Sequence, residues 1–300
     1  MRGFHEKTHL FRSLMPGNGA YGHNDPTSCW AISDLCYAMK GNPFEGGVAR
    51  DNSSLHLVQK GELRPVDGVG QSDTKFLSDA HTAFRDLVLA PGFSCLGAKA
   101  AFNDQSYGFA VYSELASGDS TAGLSRDLYQ FAQSDLIEHN EYATFIAVFR
   151  GPRDIDEVRF EKLLWRQLQY LHGADAEHFG WDPNVSSDPR DPHFSFSFGG
   201  RAFYVIGMHG QNSRVARRFP WPTLVFNPHE QFQRLRTDGK WRRMQRSIRA
   251  RELVLQGSVN PMLSDFGEES EARQYSGRAV PEDWTPPLAG NGDGKCPFAH

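Results

Sequence analysis

The sequence predicts an α+β fold, in which a mixed, largely antiparallel central sheet packs with several helices in a single domain. Short apolar runs typical of strands do not alternate strictly with helical patterns, as they would in a doubly wound sheet. Two pairs of these runs are joined by short polar or Gly-Gly turns, which indicates β-hairpins. The chain has 300 residues, 39% hydrophobic and 12% aromatic, which is enough to bury a large core.

Hydrophobic spacing predicts the individual elements. In chain order they are a helix over 73–89, strands over 95–102 and 107–112, a helix near 120–139, a strand over 143–149, a helix over 155–172, strands over 193–198, 202–208 and 223–226, and a helix over 239–255. The last helix is basic and amphipathic, and we expect Trp241, Met244 and Ile248 to face inward.

The elements divide the chain into three parts. Residues 1–72 are rich in Gly, Asn, Asp and Pro, which predicts an irregular covering segment with a short helix near 28–40. Residues 73–283 form the predicted α+β core. Residues 284–300 are rich in Pro and Gly, which predicts a surface tail with Cys-Pro-Phe near its end.

Composition and missing motifs exclude several classes of protein. The net charge of −4 argues against a surface built for nucleic acid or anionic lipid. There is no apolar run of membrane-spanning length and no signal-like start, so we expect a cytoplasmic protein with reduced thiols at its four cysteines. The nucleotide-binding, zinc-protease and serine-hydrolase signatures are absent as well.

The best candidate site follows the strand over 202–208. His209 comes directly after that strand, and Arg214, Arg217 and Arg218 follow closely. In one interpretation His209 caps the strand end and the arginines are a solvated patch. In the other, the imidazole is the axial ligand of a haem iron and the arginines pair with the haem propionates or the substrate.

Other residues compete for the role of iron ligand. Cys296 stands before a proline in the tail, and a cysteine thiolate also ligates haem iron. Its alternative role is a free thiol near the chain end. Cys95 lies in an apolar run and is interpreted as a buried core thiol, while His193 and His229 remain lesser candidates.

Charged residues toward the C-terminus have three possible uses. Eight of the 32 basic residues fall within 234–251, and such a stripe can follow nucleic-acid phosphates. The acidic stretch 265–271 can instead pair with the stripe, within the fold or across a homodimer. A third use is that Asp188, Glu268 and Glu271 hold a cationic substrate, which needs a carboxylate partner.

Many segments of the chain resemble the YqcI/YcgG family. The similarity runs from about residue 91 to 298. It is carried by Pro91-Gly-Phe-Ser-Cys-Leu-Gly-Ala98, Trp181-Asp-Pro183, Ser186-Ser-Asp-Pro189, Phe194-Ser-Phe-Ser-Phe-Gly-Gly200, Gly207-Met-His209 with Ser213-Arg214, Phe226-Asn-Pro-His-Glu-Gln-Phe232, Gly257-Ser-Val-Asn-Pro-Met-Leu263, Gln274-Tyr-Ser-Gly-Arg278 and Cys296-Pro-Phe298. The chain departs from the family at Gly210, where proline is frequent, and in the spacer before Cys296.

The resemblance implies a function and a cofactor. Characterised members are haem-dependent monooxygenases that hydroxylate nitrogen in natural product biosynthesis, as in D-cycloserine and guanitoxin formation. It therefore implies haem b with its iron and an amino or guanidino substrate, arginine-like by preference. If haem binds, we expect His209 and Arg214 to be the catalytic residues. The oxidant would be either O₂, with electrons from a separate donor, or peroxide. A non-catalytic haem carrier and a nucleic-acid-binding module remain the alternatives.

Overall fold

The computed structural model describes residues 41–70 and 73–289, and these build one seven-stranded sheet with helices on both faces. The helices are α1 (Gly47–Asn52), α2 (Thr74–Leu89), α3 (Leu96–Asn103), α4 (Gly118–Ala132), α5 (Asp135–His139), α6 (Glu157–Asp175), α7 (His229–Thr237), α8 (Trp241–Gln256) and α9 (Ala272–Tyr275). The strands are β1 (His56–Gln59), β2 (Glu62–Pro65), β3 (Tyr107–Glu114), β4 (Thr144–Gly151), β5 (Phe196–Phe198), β6 (Arg201–Met208) and β7 (Thr223–Pro228).

The strand order in the sheet is β2-β1-β3-β4-β7-β6-β5. Strands β3 and β4 pair in parallel, and each of the other neighbouring pairs is antiparallel. The predicted α+β class with a mixed, largely antiparallel sheet is therefore confirmed.

Each face of the sheet has its own hydrophobic core. On one face, side chains of α4 and α6 pack against the sheet, with Leu128, Phe160 and Leu164 fully buried. On the other face, Phe84 of α2 and Phe102 of α3 pack against the opposite side of the same strands. The residues of a strand alternate between the two faces, so position along a strand decides which core a side chain joins.

Several predicted elements are confirmed. Helix α2 begins as expected, with the Asp73 carboxylate accepting from the Phe76 amide at 3.0 Å, and α6 begins in the same way at Asp156. Strand β4 is buried, and β5 with β6 forms the predicted Gly-Gly hairpin. Of the tail, the described part keeps Leu288 buried against the core of the α6 face. The predicted helix near 28–40 lies outside the described residues.

The predicted first hairpin over 95–112 is wrong. Residues 96–103 form helix α3, and Cys95 caps it, its sulfur accepting from the Ala98 amide at 3.5 Å. Three alanines in this segment favour a helix, and one of its faces is buried against α2 and the cavity described below. Strand β3 is real, but its neighbours are β4 and β1.

The structure also differs from the prediction in two other regions. The segment predicted to be irregular holds α1 and the β1–β2 hairpin, and β1 lies inside the sheet between β2 and β3. Turn residues Lys60 and Gly61, both with positive φ, close this hairpin. Helix α7, which follows β7 directly, was not predicted because its sequence is dominated by polar residues.

Helix α1 sits against α4 through a close backbone approach at Gly123. A Cβ atom at this position would overlap the Asn52 carbonyl oxygen. Beside it, the buried Asp127 carboxylate accepts from the Ser54 amide at 2.7 Å and from the Tyr112 hydroxyl at 2.8 Å. In the described ranges no helix is long and apolar enough to cross a membrane.

Candidate functional site

A cavity of about 270 Å³ lies on the α2–α3 face of the sheet, beneath α8. Its walls come from α2, α3, β4, β6, β7, α7, α8 and the segment 260–274. The volume is near the lower end of the range for ligand pockets, which begins at about 300 Å³. Most of the lining is apolar, including Phe84, Phe102, Ile206, Met208, Val225, Trp241, Ile248 and Phe266.

His229 is the histidine of the cavity wall. It is the first residue of α7, directly after β7, and it is buried. Its Nε2 is 3.0 Å from the Gln233 side-chain amide, while Nδ1 has no hydrogen-bond partner. Burial, helped by the charge of Arg236, lowers the pKa of His229 to about 4. The imidazole is therefore neutral at physiological pH, with one nitrogen free to act as a ligand or base.

Glu271 is the buried carboxyl beside His229. Its Oε2 is 3.9 Å from His229 Nδ1, and its Oε1 accepts from the Ser195 hydroxyl at 2.7 Å and from the Tyr275 hydroxyl at 2.6 Å. Burial raises the pKa of Glu271 to about 8, although both hydrogen bonds oppose this shift. The group is largely protonated at neutral pH, and a bound cation would favour its ionised form.

Two arginines reach the cavity with unused donors. The Arg236 guanidinium lies 5.1 Å from the Trp241 ring centroid and 5.5 Å from that of Phe266. Its Nη1 is buried without a hydrogen-bond partner, and burial lowers its pKa. Arg249 also lines the cavity with a buried, unpaired Nε. Both side chains suit a carboxylate ligand, which would supply the missing acceptors.

Arg214 and Arg217 line the cavity too, but most of their donors are already used. Arg214 binds the buried Glu252 carboxylate and the Ser258 carbonyl oxygen, the latter at 2.7 Å. Arg217 donates to the Gln274 and Tyr275 carbonyl oxygens at 2.8 and 3.0 Å. These contacts fix the loop after β6 to the segments around it.

His209, the leading candidate from the sequence, lies on the other side of the sheet. In β6 the side chains of Tyr204, Ile206 and Met208 face the cavity, so the next residue, His209, faces α6. Its ring stacks on Phe160 with centroids 4.5 Å apart, and burial lowers its pKa. His209 therefore belongs to the packing between the sheet and α6.

The other described candidates lie apart from one another, and most of them are on the surface. Arg218 is exposed and donates to the Asn212 carbonyl oxygen at 2.7 Å. Asp188 is on the surface in a bidentate pair with Arg190. Glu268 is also exposed, so only Glu271 of the three acidic candidates reaches the cavity. Cys296 lies outside the described residues.

Cys95 packs against the core of the α2–α3 face and also reaches the cavity wall. The residue is only partly buried, and burial of the thiol raises its pKa. Its sulfur already accepts a hydrogen bond as the cap of α3, so its first role is structural. His193 is exposed and lies beside Asp191.

The expected pairing between the basic stripe and the acidic stretch is not found among the described residues. Asp265 accepts from the Gln245 side-chain amide, and Glu269 pairs with Arg273 at 3.7 Å. Arg242, Arg243 and Arg246 remain exposed on α8 without an ion pair to any described residue. These three arginines therefore stay available at the surface, whereas Arg236 and Arg249 of the same stripe line the cavity.

Sequence reasoning names Glu271 as a candidate but makes His229 only a lesser one, and a single signal could have given His229 more weight. Asn227-Pro228-His229 ends a strand whose register relative to β6 places that end beside the cavity-facing side of the sheet. This signal can be used only when the pairing of β7 with β6 is known, and the sequence does not provide that pairing. In the described part of the chain no three His, Cys, Asp or Glu side chains are grouped to hold a bare metal ion.

The fold and the cavity define an α+β protein with an enclosed apolar site that presents a neutral imidazole, a protonated carboxyl and buried guanidinium groups. Comparison with known families assigns the chain. The model of the YqcI/YcgG family matches residues 84–289, and the chain belongs to this family. The matched span includes every described residue that lines the cavity. No curated protein and no solved structure matches the chain.

Proposed function

We propose that this protein is a haem-dependent monooxygenase that hydroxylates a nitrogen atom of an amino or guanidino substrate in the cytoplasm. The observation that supports it best is His229, a neutral imidazole with a free nitrogen in an apolar, enclosed cavity. Haem sites combine such a ligand with apolar walls and cationic partners for the propionates.

Four polar residues of the cavity wall, with Gln233 beside them, have roles in this proposal. His229, in place of His209, would supply the nitrogen that binds the haem iron. Gln233 lies beside Nε2 of His229, and Glu271 lies beside Nδ1. If one of these nitrogens bound iron, the residue beside the other nitrogen would orient the ring. Arg236 and Arg249 offer their unpaired donors to propionates or to a substrate carboxylate. Glu271 is the carboxyl that a cationic substrate would meet.

The bound haem would supply O₂ activation, which no side chain of the chain can perform. In the overall reaction the substrate N–H and O₂ take up two electrons and two protons, giving N–OH and water. The apolar walls exclude bulk water from the reacting nitrogen. A porphyrin is larger than the present cavity, so binding requires α8, the outer wall, to move outward.

The absorption spectrum of the purified protein tests the proposal. Protein produced with a haem precursor should show a Soret band at about one haem per chain. Incubation with arginine-like substrates, O₂ and a reductant should add one oxygen atom to the product mass. A folded preparation that stays colourless and takes up no added haemin would overturn the proposal. Haem binding without any product would favour a haem carrier.

A further inference from the structure

The outer face of α8 carries exposed arginines at one end and exposed apolar side chains at the other. When α8 is viewed along its axis, Arg242, Arg243, Arg246, Ala250, Leu253 and Val254 share one side of the helix and are exposed. Leu253 and Val254 have relative exposures of 50% and 90%, and they are two of the five large hydrophobic side chains exposed among the described residues. We call these six residues the outer α8 face.

The inner side of the same helix lines the cavity. Trp241, Met244, Ile248 and Glu252 all contribute to the cavity wall. A molecule bound to the outer α8 face would therefore be separated from the cavity by the thickness of a single helix. The face combines three unpaired cations with an apolar end, and a cationic surface around an apolar contact is typical of transient protein interfaces.

We propose that the outer α8 face docks a small acidic electron-transfer protein that delivers electrons to the cavity, an inference that rests on the proposed function. The monooxygenase reaction needs two electrons from an external donor, and one-electron carriers bind through small interfaces below about 1,200 Å². Three turns of one helix match that size. The donor is oxidised by one electron per encounter, so each turnover uses two encounters.

The chemistry of the face favours a protein over a nucleic acid. A nucleic-acid site needs cations along the path of successive phosphates. On the outer α8 face the arginines occupy the first half of the helix and the exposed apolar side chains occupy the second half. Arg251, in the second half, donates to the Pro91 and Phe93 carbonyl oxygens. Val254, at 90% exposure, would gain nothing from a phosphate but would be buried by a protein partner.

Helix α6 offers a matched control. Arg159 and Lys162 are exposed three residues apart, as Arg243 and Arg246 are, and Val158 beside them is 48% exposed. Helix α6 lies on the other face of the sheet, away from the cavity. The double variant R159E/K162E therefore makes the same charge change as R243E/R246E at a place where no docking is proposed.

Binding of an acidic [2Fe–2S] ferredoxin and of an acidic flavodoxin is measured by calorimetry at several salt concentrations. Wild-type protein should bind at least one carrier, with affinity that falls as salt rises. R243E/R246E should weaken binding at least tenfold, and V254S severalfold, while R159E/K162E changes it less than twofold. Unfolding temperatures of all variants confirm that each is folded.

Four results would overturn the docking proposal. They are no binding to either carrier, equal losses in the α6 control, preferential salt-resistant binding to duplex DNA or RNA, and concentration-dependent pairing of two copies through α8. The haem content of the same samples is read separately from the Soret band. A colourless protein that binds the carrier through α8 would contradict the proposed function but support the docking surface.

Discussion

His229 and His209 are both buried imidazoles, but their surroundings give them different roles. Both have unpaired ring nitrogens, but His229 faces the cavity, whereas His209 is stacked on Phe160 within a packed core. We expect His229→Gly to reduce haem content to less than about a tenth of wild type, because the axial nitrogen is removed. Added imidazole should restore the Soret band in this variant.

The matched control is His209→Ala. It should lower the unfolding temperature by removing core packing and leave haem content per folded chain close to wild type. The reduced carbon-monoxide complex adds a second measurement, since imidazole ligation absorbs at about 420 nm and thiolate ligation at about 450 nm. Absorption at about 450 nm that is lost in Cys296→Ala would assign the ligand to the tail and contradict His229.

Glu271 makes stability depend on pH. The carboxyl ionises near pH 4.5 in an unfolded chain but holds its proton to about pH 8 in the folded protein. Between these values the folded state binds one proton more than the unfolded state, so this group makes the free energy of unfolding fall by about 1.4 kcal/mol per pH unit as pH rises. Haem-free Glu271→Gln should lack this decline.

Urea unfolding at pH 5, 6.5 and 8 measures the effect. The variant should gain stability relative to wild type as pH increases. His229 contributes the opposite slope below its ordinary pKa of 6.5, because its pKa is lowered, but it does so in both proteins. Glu268→Gln is the control, since this exposed carboxylate has no buried charge to relieve. A constant difference between Glu271→Gln and wild type at all three pH values would contradict the expectation.

Sequence identified candidate residues where a local pattern marks them, but it did not show which candidates face the cavity, because that depends on strand pairing. The motif around His209 is conspicuous, yet a strand alternates its side chains, and one position separates the cavity-facing Met208 from the core-facing His209. Which face carries the cavity depends on helices α7 and α8, far along the chain. Glu271 was found as a candidate, but its partner His229 was ranked below residues that lie elsewhere.

At the scale of elements, two helical glycines have opposite expected effects. A Cβ at Gly123 of α4 would overlap the Asn52 carbonyl oxygen, so Gly123→Ala should push α1 away and cost about 1–3 kcal/mol of unfolding free energy. Gly173 of α6 is exposed, and a Cβ there meets nothing within 4 Å, so Gly173→Ala should stabilise by up to about 1 kcal/mol. Thermal unfolding measures both, and effects of the same sign would contradict this packing.

The elements that the sequence predicted wrongly share one cause. Apolar residues over 95–102 are too few to distinguish a strand from a short helix, and the Cys95 cap is a weak start signal. Helix α6, with nineteen residues and a strong apolar face, was predicted within three residues at both ends. The secondary structure of a long periodic segment can therefore be predicted from its sequence, whereas that of a short segment depends on the elements it packs against.

At the scale of the whole molecule, the predicted boundary of the core at residue 73 cuts through the sheet. Strand β1 pairs with β3 through His56 and Leu57, and Leu55 is 1% exposed in the core. A chain that begins at residue 73 would leave the edge of β3 unpaired, and unpaired edges promote association. We expect it to aggregate in gel filtration. A monomer as stable as the full chain would show that the hairpin is dispensable.

Helix α8 encloses the cavity with unusually little anchoring. Of its sixteen residues only Glu252 is buried, whereas nine residues of α4 are buried. The helix is held largely through side-chain hydrogen bonds, such as those from Gln256 to Ser213 and from Tyr142 to Met244.

Local opening of a weakly held helix such as α8 costs less free energy than global unfolding, so the amides of α8 should exchange with deuterium faster than those of α4. If the cavity ligand bridges α8 to the sheet, filling the cavity should slow exchange in α8 selectively, because each opening would also break contacts with the ligand. The helix would then act as the gate through which a large cofactor enters, and exchange rates in α8 would report cavity occupancy even for a ligand without colour.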